Sequence, residues 1–247
     1  MALDRSAALQ RILAEGDEWQ SWRALKLGGD EVGDPPPISW QTDEGAFIGA
    51  AGSPSPGSTG EALCHLTVIG LRDSGPAAIA ADWLESARTP AQAWLDSPQD
   101  VPGDLDDPAG ARVWATAGAA CGLLVAGRDP GPRSISLLRG EATNDGHFTG
   151  GAYPTFAAAG IFWTTDGPKS EMAEWALRWA REHVDDHGDA WERATGLTFW
   201  GAAGVPAEHP SVDLFVEKLQ EDPPAEGWPD DLGLTLRTLE LFAFFGA

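Results

Sequence analysis

Three carboxylates fall within four consecutive positions at Asp104-Leu105-Asp106-Asp107, directly ahead of a long apolar stretch. Carboxylates held this close in a desolvated place cannot all ionise, so one keeps its proton and can donate it. His147 opens the next apolar stretch and could supply the hydrogen bond that fixes the donor's conformer. The same residue types suit a second chemistry, because Asp104, Asp106, Asp145 and Asp189 at loop ends could pair as the two carboxylates of glycosidic cleavage. They also suit no chemistry at all. Aspartate caps helix N-termini, as Asp230-Asp231 after Pro229 would do.

Metal and cofactor chemistry find less support. Cys64 and His65 are neighbours on a helical stretch and project about 100° apart, too far to share one ion readily. His183 and His187 lie on one helical face with Asp186 and Asp189 nearby, yet the end of a helix is where histidine suits the negative pole of the dipole. No metal site is therefore assigned. Neither a Walker or Rossmann glycine pattern nor a Gly-x-Ser-x-Gly elbow is present, and no cofactor is expected. Cys64 and Cys121 are expected as small buried thiols.

The elements that must position these groups repeat. A small residue or histidine precedes a large aromatic at Ala46-Phe47, Ala93-Trp94, His147-Phe148, Ala190-Trp191 and Gly227-Trp228, at spacings of 47, 54, 43 and 37 residues. Between successive pairs the same order recurs: an apolar helical run, a Gly/Asp break, a proline (Pro76, Pro132, Pro168 or Pro210) and a more polar helical run. Inner helices hydrophobic on nearly all sides are predicted near 58–71, 107–126, 152–164, 191–203 and 230–245. One-sided outer helices are predicted near 76–88, 131–142, 168–183 and 210–221. The first 57 residues hold an amphipathic helix over 3–15, a short one over 19–27, and a Gly/Pro-rich loop. Small residues such as Gly118, Gly122 and Gly160 permit close approach of the inner helices. The expectation is one all-α domain over 1–247, an α/α toroid of about five hairpins in which the N-terminal helix pairs with the last inner helix.

Charge narrows the partners. A net charge of −22, with lysine only at Lys26, Lys169 and Lys218, repels phosphate and excludes a nucleic-acid surface. The acidic excess with so little lysine also matches a high-salt cytoplasm or a GC-rich genome. No apolar run is long enough to span a bilayer, and the N-terminus lacks a basic and apolar leader, so a cytoplasmic protein is expected.

The segments Asn144-Asp145-Gly146-His147-Phe148 and Tyr153-Pro154-Thr155-Phe156-Ala157, echoed by Thr59 to Leu71, Trp83-Leu84 and Gly227-Trp228, resemble the repeats of the terpene cyclase and prenyltransferase superfamily. The resemblance covers about residue 40 to the end. It implies a toroid and gives the acid cluster a role: Asp104-Leu105-Asp106-Asp107 is similar to the Asp-x-Asp-Asp motif of class II cyclases, in which the middle acid, here Asp106, protonates an isoprenoid. Asp104 and Asp107 would orient the proton. The resulting cation would need π-rich walls, for which Trp114, Phe156, Trp163, Phe199, Trp200 and Phe242 are available. Known class II enzymes enclose the acid between two toroids, so a homodimer or a second toroid subunit is implied. Two other expectations stand beside this one: a non-catalytic toroid that binds a lipid or partner protein, and a carbohydrate-active α/α barrel whose aromatics stack on sugar rings.

Overall fold

A computed structural model describes residues 3–101, 107–185, 189–221 and 227–247. Among the described residues there are eleven α-helices and one short 3-10 helix (Pro98–Asp100), with no strand beyond isolated bridges in the turns. The chain is all-α. Among the described residues no helix is long and apolar enough to cross a membrane.

Two helices, α1 (Arg5–Glu15) and α2 (Glu18–Gly28), come first, each opened by an aspartate cap; Asp17 and Gln20 form a reciprocal capping box on α2. Five inner helices follow: α3 (Pro56–Val68), α5 (Pro108–Val125), α7 (Ala152–Asp166), α9 (Ala190–Ala202) and α11 (Leu232–Phe245). Between them run the outer helices α4 (Gly75–Ala87), α6 (Pro132–Gly140), α8 (Glu171–Glu182) and α10 (Pro210–Glu221). Proline opens α3, α5, α6 and α10, where its missing N–H costs nothing. Pro168 instead lies in the turn before α8. Ala190-Trp191 is also placed differently from the expectation, inside the first turn of α9, because Asp189 caps that helix one residue earlier.

The reason the inner helices follow one another is a turn repeated three times. Thr42, Thr89 and Thr143 each sit five residues before an aromatic, and each threonine's N–H donates to the carbonyl of the residue before that aromatic. Gly45, Gln92 and Gly146 occupy the turn with positive φ of 102°, 58° and 100°. Gln92 is the single non-glycine among the described residues with that conformation. A side chain at Gly45 or Gly146 would strike a backbone carbonyl of the following outer helix, Ile79 O at 2.4 Å and Trp175 O at 2.7 Å. The aromatic's own N–H then donates to a threonine hydroxyl on the inner helix: Phe47 to Thr59, Trp94 to Thr116, Phe148 to Thr155 and Trp228 to Thr235. This satisfies a donor buried beside a large ring, which an apolar side chain could not do.

Small residues then let α3 and α5 cross at backbone contact. A Cβ on Gly60 would lie 1.9 Å from Gly118 O, and one on Gly122 would lie 2.6 Å from the Gly60 Cα. Along the series α3 touches α5, α5 touches α7, α7 touches α9, and α9 returns to α3. The last inner helix, α11, packs on α9, α3, α2 and α1. Ala8 and Ile12 of α1 share a buried cluster with Leu236 and Leu239 of α11, the pairing of first and last elements that the sequence leads one to expect.

Candidate functional site

Of the expected acids, Asp104 and Asp106 lie outside the described residues. Asp107 is exposed and caps α5, accepting from the N–H groups of Ala109 (2.9 Å) and Gly110 (3.0 Å). Asp189 and Asp231 cap α9 and α11 in the same way. His147 faces its own turn: Nδ1 lies 2.7 Å from Asp145 Oδ1 and 3.0 Å from Thr143 Oγ1, and the ring approaches Trp179 at 5.5 Å. The Thr143 hydroxyl, ahead of the histidine, holds the exposed Asp145 carboxyl below its ordinary value. His183 ends α8 with Nδ1 2.8 Å from Trp179 O, while Asp186 and His187 lie outside the described residues. Among the described residues no group of three or more His, Cys, Asp or Glu is arranged to hold a metal.

The aromatic candidates form core. Trp114, Phe156, Phe199 and Trp200 are fully buried and meet edge to face, with ring centroids 6.2 Å apart for Trp114–Phe199 and 5.5 Å for Phe156–Trp200. Trp200 Nε1 donates to Phe156 O. Trp163 and Phe242 pack against the same cluster from its edge, and Trp163 meets the His209 ring at 5.9 Å. These rings are each other's walls. Cys64 and Cys121 face one another with sulfurs 3.8 Å apart, and burial raises the Cys64 thiol well above its ordinary value, which keeps it un-ionised and unreactive.

A concavity bordered by buried charges lies elsewhere. A cavity of about 360 Å³ opens between α2, α3, α9, α11 and the loop carrying Trp40 and Phe47. Its walls include Arg23, Glu61, His65, Trp191 and Arg237. Arg23 forms a fork to Glu240, with Nε 2.8 Å from Oε1 and Nη2 2.5 Å from Oε2, and His65 Nε2 lies 2.9 Å from the same Oε2. Arg237 lies 2.8 Å from Glu61 Oε1, donates from Nε to Thr198, and stacks over the Trp191 ring at 5.4 Å. Thr195 adds a hydroxyl to Glu61 Oε1 at 3.3 Å. Both arginines and Glu240 are buried.

Electrostatics follow from this geometry. Burial by itself would raise the Glu240 carboxyl, but the Arg23 charge and the hydrogen bonds from His65 and Arg23 outweigh it and hold the group at about 2. Burial, reinforced by the Arg23 charge, pulls His65 down to about 4, so its ring is neutral at physiological pH. The two arginines in the cavity wall are thus balanced, each guanidinium paired with one carboxylate. Beside it, burial together with the charge of Asp189 pushes Glu192 up to about 7. Burial, followed by Asp189, Glu192 and Glu61, drives the Tyr153 phenol above its ordinary range.

A further shifted acid lies in the link before α5. Asp96 Oδ2 accepts from Ser55 Oγ and Gly57 N, its Oδ1 has no partner among the described residues, and burial pushes the group up to about 7. The Trp114 indole N–H is likewise buried without a partner among the described residues, and it closes on the same Gly57.

Sequence reasoning passed over the residues that build this cavity, although a signal was present. Arg237 and Glu240 stand inside Leu232–Phe245, a helix otherwise apolar on nearly every side, and buried charges in such a place must be paired or face a cavity. Glu61 and His65 are one helical turn apart on α3. Comparison with protein-family models, curated proteins and solved structures returns no match.

Proposed function

We propose that this chain is a helical-repeat protein that binds a small polar molecule in the cavity between α2, α3, α9 and α11. The observation that carries the reading is the cavity's construction: about 360 Å³, walled by Arg23, Arg237 and Glu61 of two buried arginine–carboxylate pairs drawn from three helices, with tryptophan rings at its mouth. That volume suits a small ligand, and convergent polar groups on an otherwise apolar scaffold are what fix a ligand's orientation. Burying this many charges is costly against a hydrophobic core of the same shape, so packing alone gives no reason for them. The reading takes the five hairpins as a closed α/α toroid, supported by the return of α9 and α11 to α3.

The test is thermal stabilisation by a chemically diverse set of small molecules, run on the native chain and on Ser58→Phe, which fills the cavity from α3. Stabilisation present in the first and lost in the second supports the site. Equal responses from both chains contradict it.

A second reading, the class II cyclase, draws on one observation. The link from aromatic to helical threonine is 22 residues at Trp94–Thr116, against 12, 7 and 7 in the other three repeats, and this longest link contains both Asp104-Leu105-Asp106-Asp107 and Asp96. An acid protonated near neutral pH in the same link is the reagent such a reaction needs. Incubation with squalene, oxidosqualene and geranylgeranyl diphosphate, alone and with a second toroid subunit, tests it. A cyclic product lost in Asp106→Asn supports Asp106 as the donor, and a product retained by that variant removes it.

A further inference from the structure

The cavity's walls say more about its occupant than its size does. Trp191 is 36% exposed, its Nε1 is anchored by Asp231 at 2.6 Å, and one face of the ring is covered by the Arg237 guanidinium. The indole is therefore a rigid plate with a preset orientation rather than a mobile surface ring. Trp40, also 36% exposed, stands on the loop at the same cavity. Next to these plates, Arg237 and Glu61 place a donor and an acceptor side by side. Glu61 Oε1 takes the hydrogen bonds from Arg237 and Thr195, and Oε2 accepts none from any described residue.

Adjacent hydroxyls on a ring each donate and accept, so a guanidinium beside a carboxylate matches them, while the ring's C–H face lies on an indole. A phosphate or carboxylate ligand would meet arginines already neutralised by Glu61 and Glu240, in a chain of net charge −22. A plain isoprenoid chain would leave those buried charges facing hydrocarbon.

We infer that the ligand of this cavity is a neutral saccharide, with one ring seated on Trp191 and its vicinal hydroxyls read by Arg237 and Glu61. This rests on the cavity being the binding site, and the experiment separates the two ideas. Saturation-transfer NMR and calorimetric titration are run with a panel of neutral disaccharides (maltose, cellobiose, trehalose, xylobiose and chitobiose), with glucose 6-phosphate as the anionic probe and farnesol as the apolar one. A disaccharide binds the native chain, Ser58→Phe abolishes binding, Trp191→Ala weakens it by about tenfold, and Trp191→Phe, which keeps a ring, restores most of it. Melting curves of Ser58→Phe and Trp191→Ala establish that each variant is folded. If glucose 6-phosphate or farnesol binds in a Ser58→Phe-sensitive manner and no disaccharide does, the saccharide assignment falls and the cavity stands. If no probe of the three classes binds, or if a disaccharide binds regardless of Ser58→Phe, the assignment falls with the cavity reading.

Discussion

Arg23 on α2 and Glu240 on α11, 217 positions apart in the chain, meet as a buried forked ion pair with His65 of α3 on the same carboxylate oxygen. This contact joins the N-terminal helices to the last inner helix and forms the floor between two cavities. On its far side lies a smaller one of about 230 Å³, bordered by Lys26, Leu27 and Phe244.

Removing one partner leaves a buried charge uncompensated. Glu240→Gln should destabilise the chain by about 3 kcal/mol in chemical denaturation, whereas Arg23→Met combined with Glu240→Leu should recover most of the loss. A single variant as stable as the native chain would show that the pair is solvated.

The pH response of this pair has a fixed sign. His65 titrates at about 4 in the fold against 6.5 when free, and Glu240 at about 2 against 4.5, so in both windows the unfolded chain binds more protons. Their contribution is whole above 6.5 and is lost as pH falls, first through the His65 window and then through that of Glu240. His65→Gln should flatten the dependence of stability on pH between 6.5 and 4.

Asp96 acts in the opposite direction. Its folded value of about 7 lies above the free value of 3.8, so the folded chain binds more protons between them and stability falls as pH rises through that range. Asp96→Asn keeps an acceptor for Ser55 and Gly57 without the charge. It should be more stable than the native chain by about 1 to 3 kcal/mol at about pH 8, and nearly equal to it at about pH 4.

The threonine that receives each aromatic's N–H can be tested against a threonine that receives nothing. Thr155→Val should cost about 1 to 3 kcal/mol, because the Phe148 N–H is left buried and unpaired. Thr238, whose buried hydroxyl has no partner among the described residues, should tolerate valine without loss. Urea denaturation of the two variants side by side makes the comparison.

At the α3–α5 crossing, Gly60→Ala would drive a methyl into the Gly118 carbonyl and should cost about 3 kcal/mol or more. Gly75→Ala, at the start of α4 with open space around it, should be neutral or slightly stabilising. Thermal melts of both variants test whether the helices touch here.

Much of this fold is legible in the sequence, because hydrophobic periodicity and helix punctuation act locally. The helices predicted near 107–126 and 210–221 are found at Pro108–Val125 and Pro210–Glu221, where proline marks both starts and Asp107 caps the first. The turns are less legible. Gln92 takes a positive φ that glycine usually signals, and the threonines at Thr42, Thr89 and Thr143 carry no hydrophobic pattern. The cavity is harder still, since Arg23, Glu61, Arg237 and Glu240 come from three helices far apart in sequence and none of their pairs is set by local spacing. Aromatic richness misleads for a related reason: a ring at helical spacing reads the same whether it faces a hollow or another ring, and Trp114, Phe156, Phe199 and Trp200 face each other.

The twelve tryptophans give the most direct measurement, because each indole N–H is a separate proton–nitrogen signal in an NMR spectrum. On titration with the best-binding disaccharide, the signals of Trp191 and Trp40, assigned through Trp191→Phe and Trp40→Phe, should move in step with saturation. Those of Trp94, Trp114 and Trp200 in the core should stay in place. A titration in which the core signals move while Trp191 and Trp40 remain still would contradict the assignment of this cavity as the binding site.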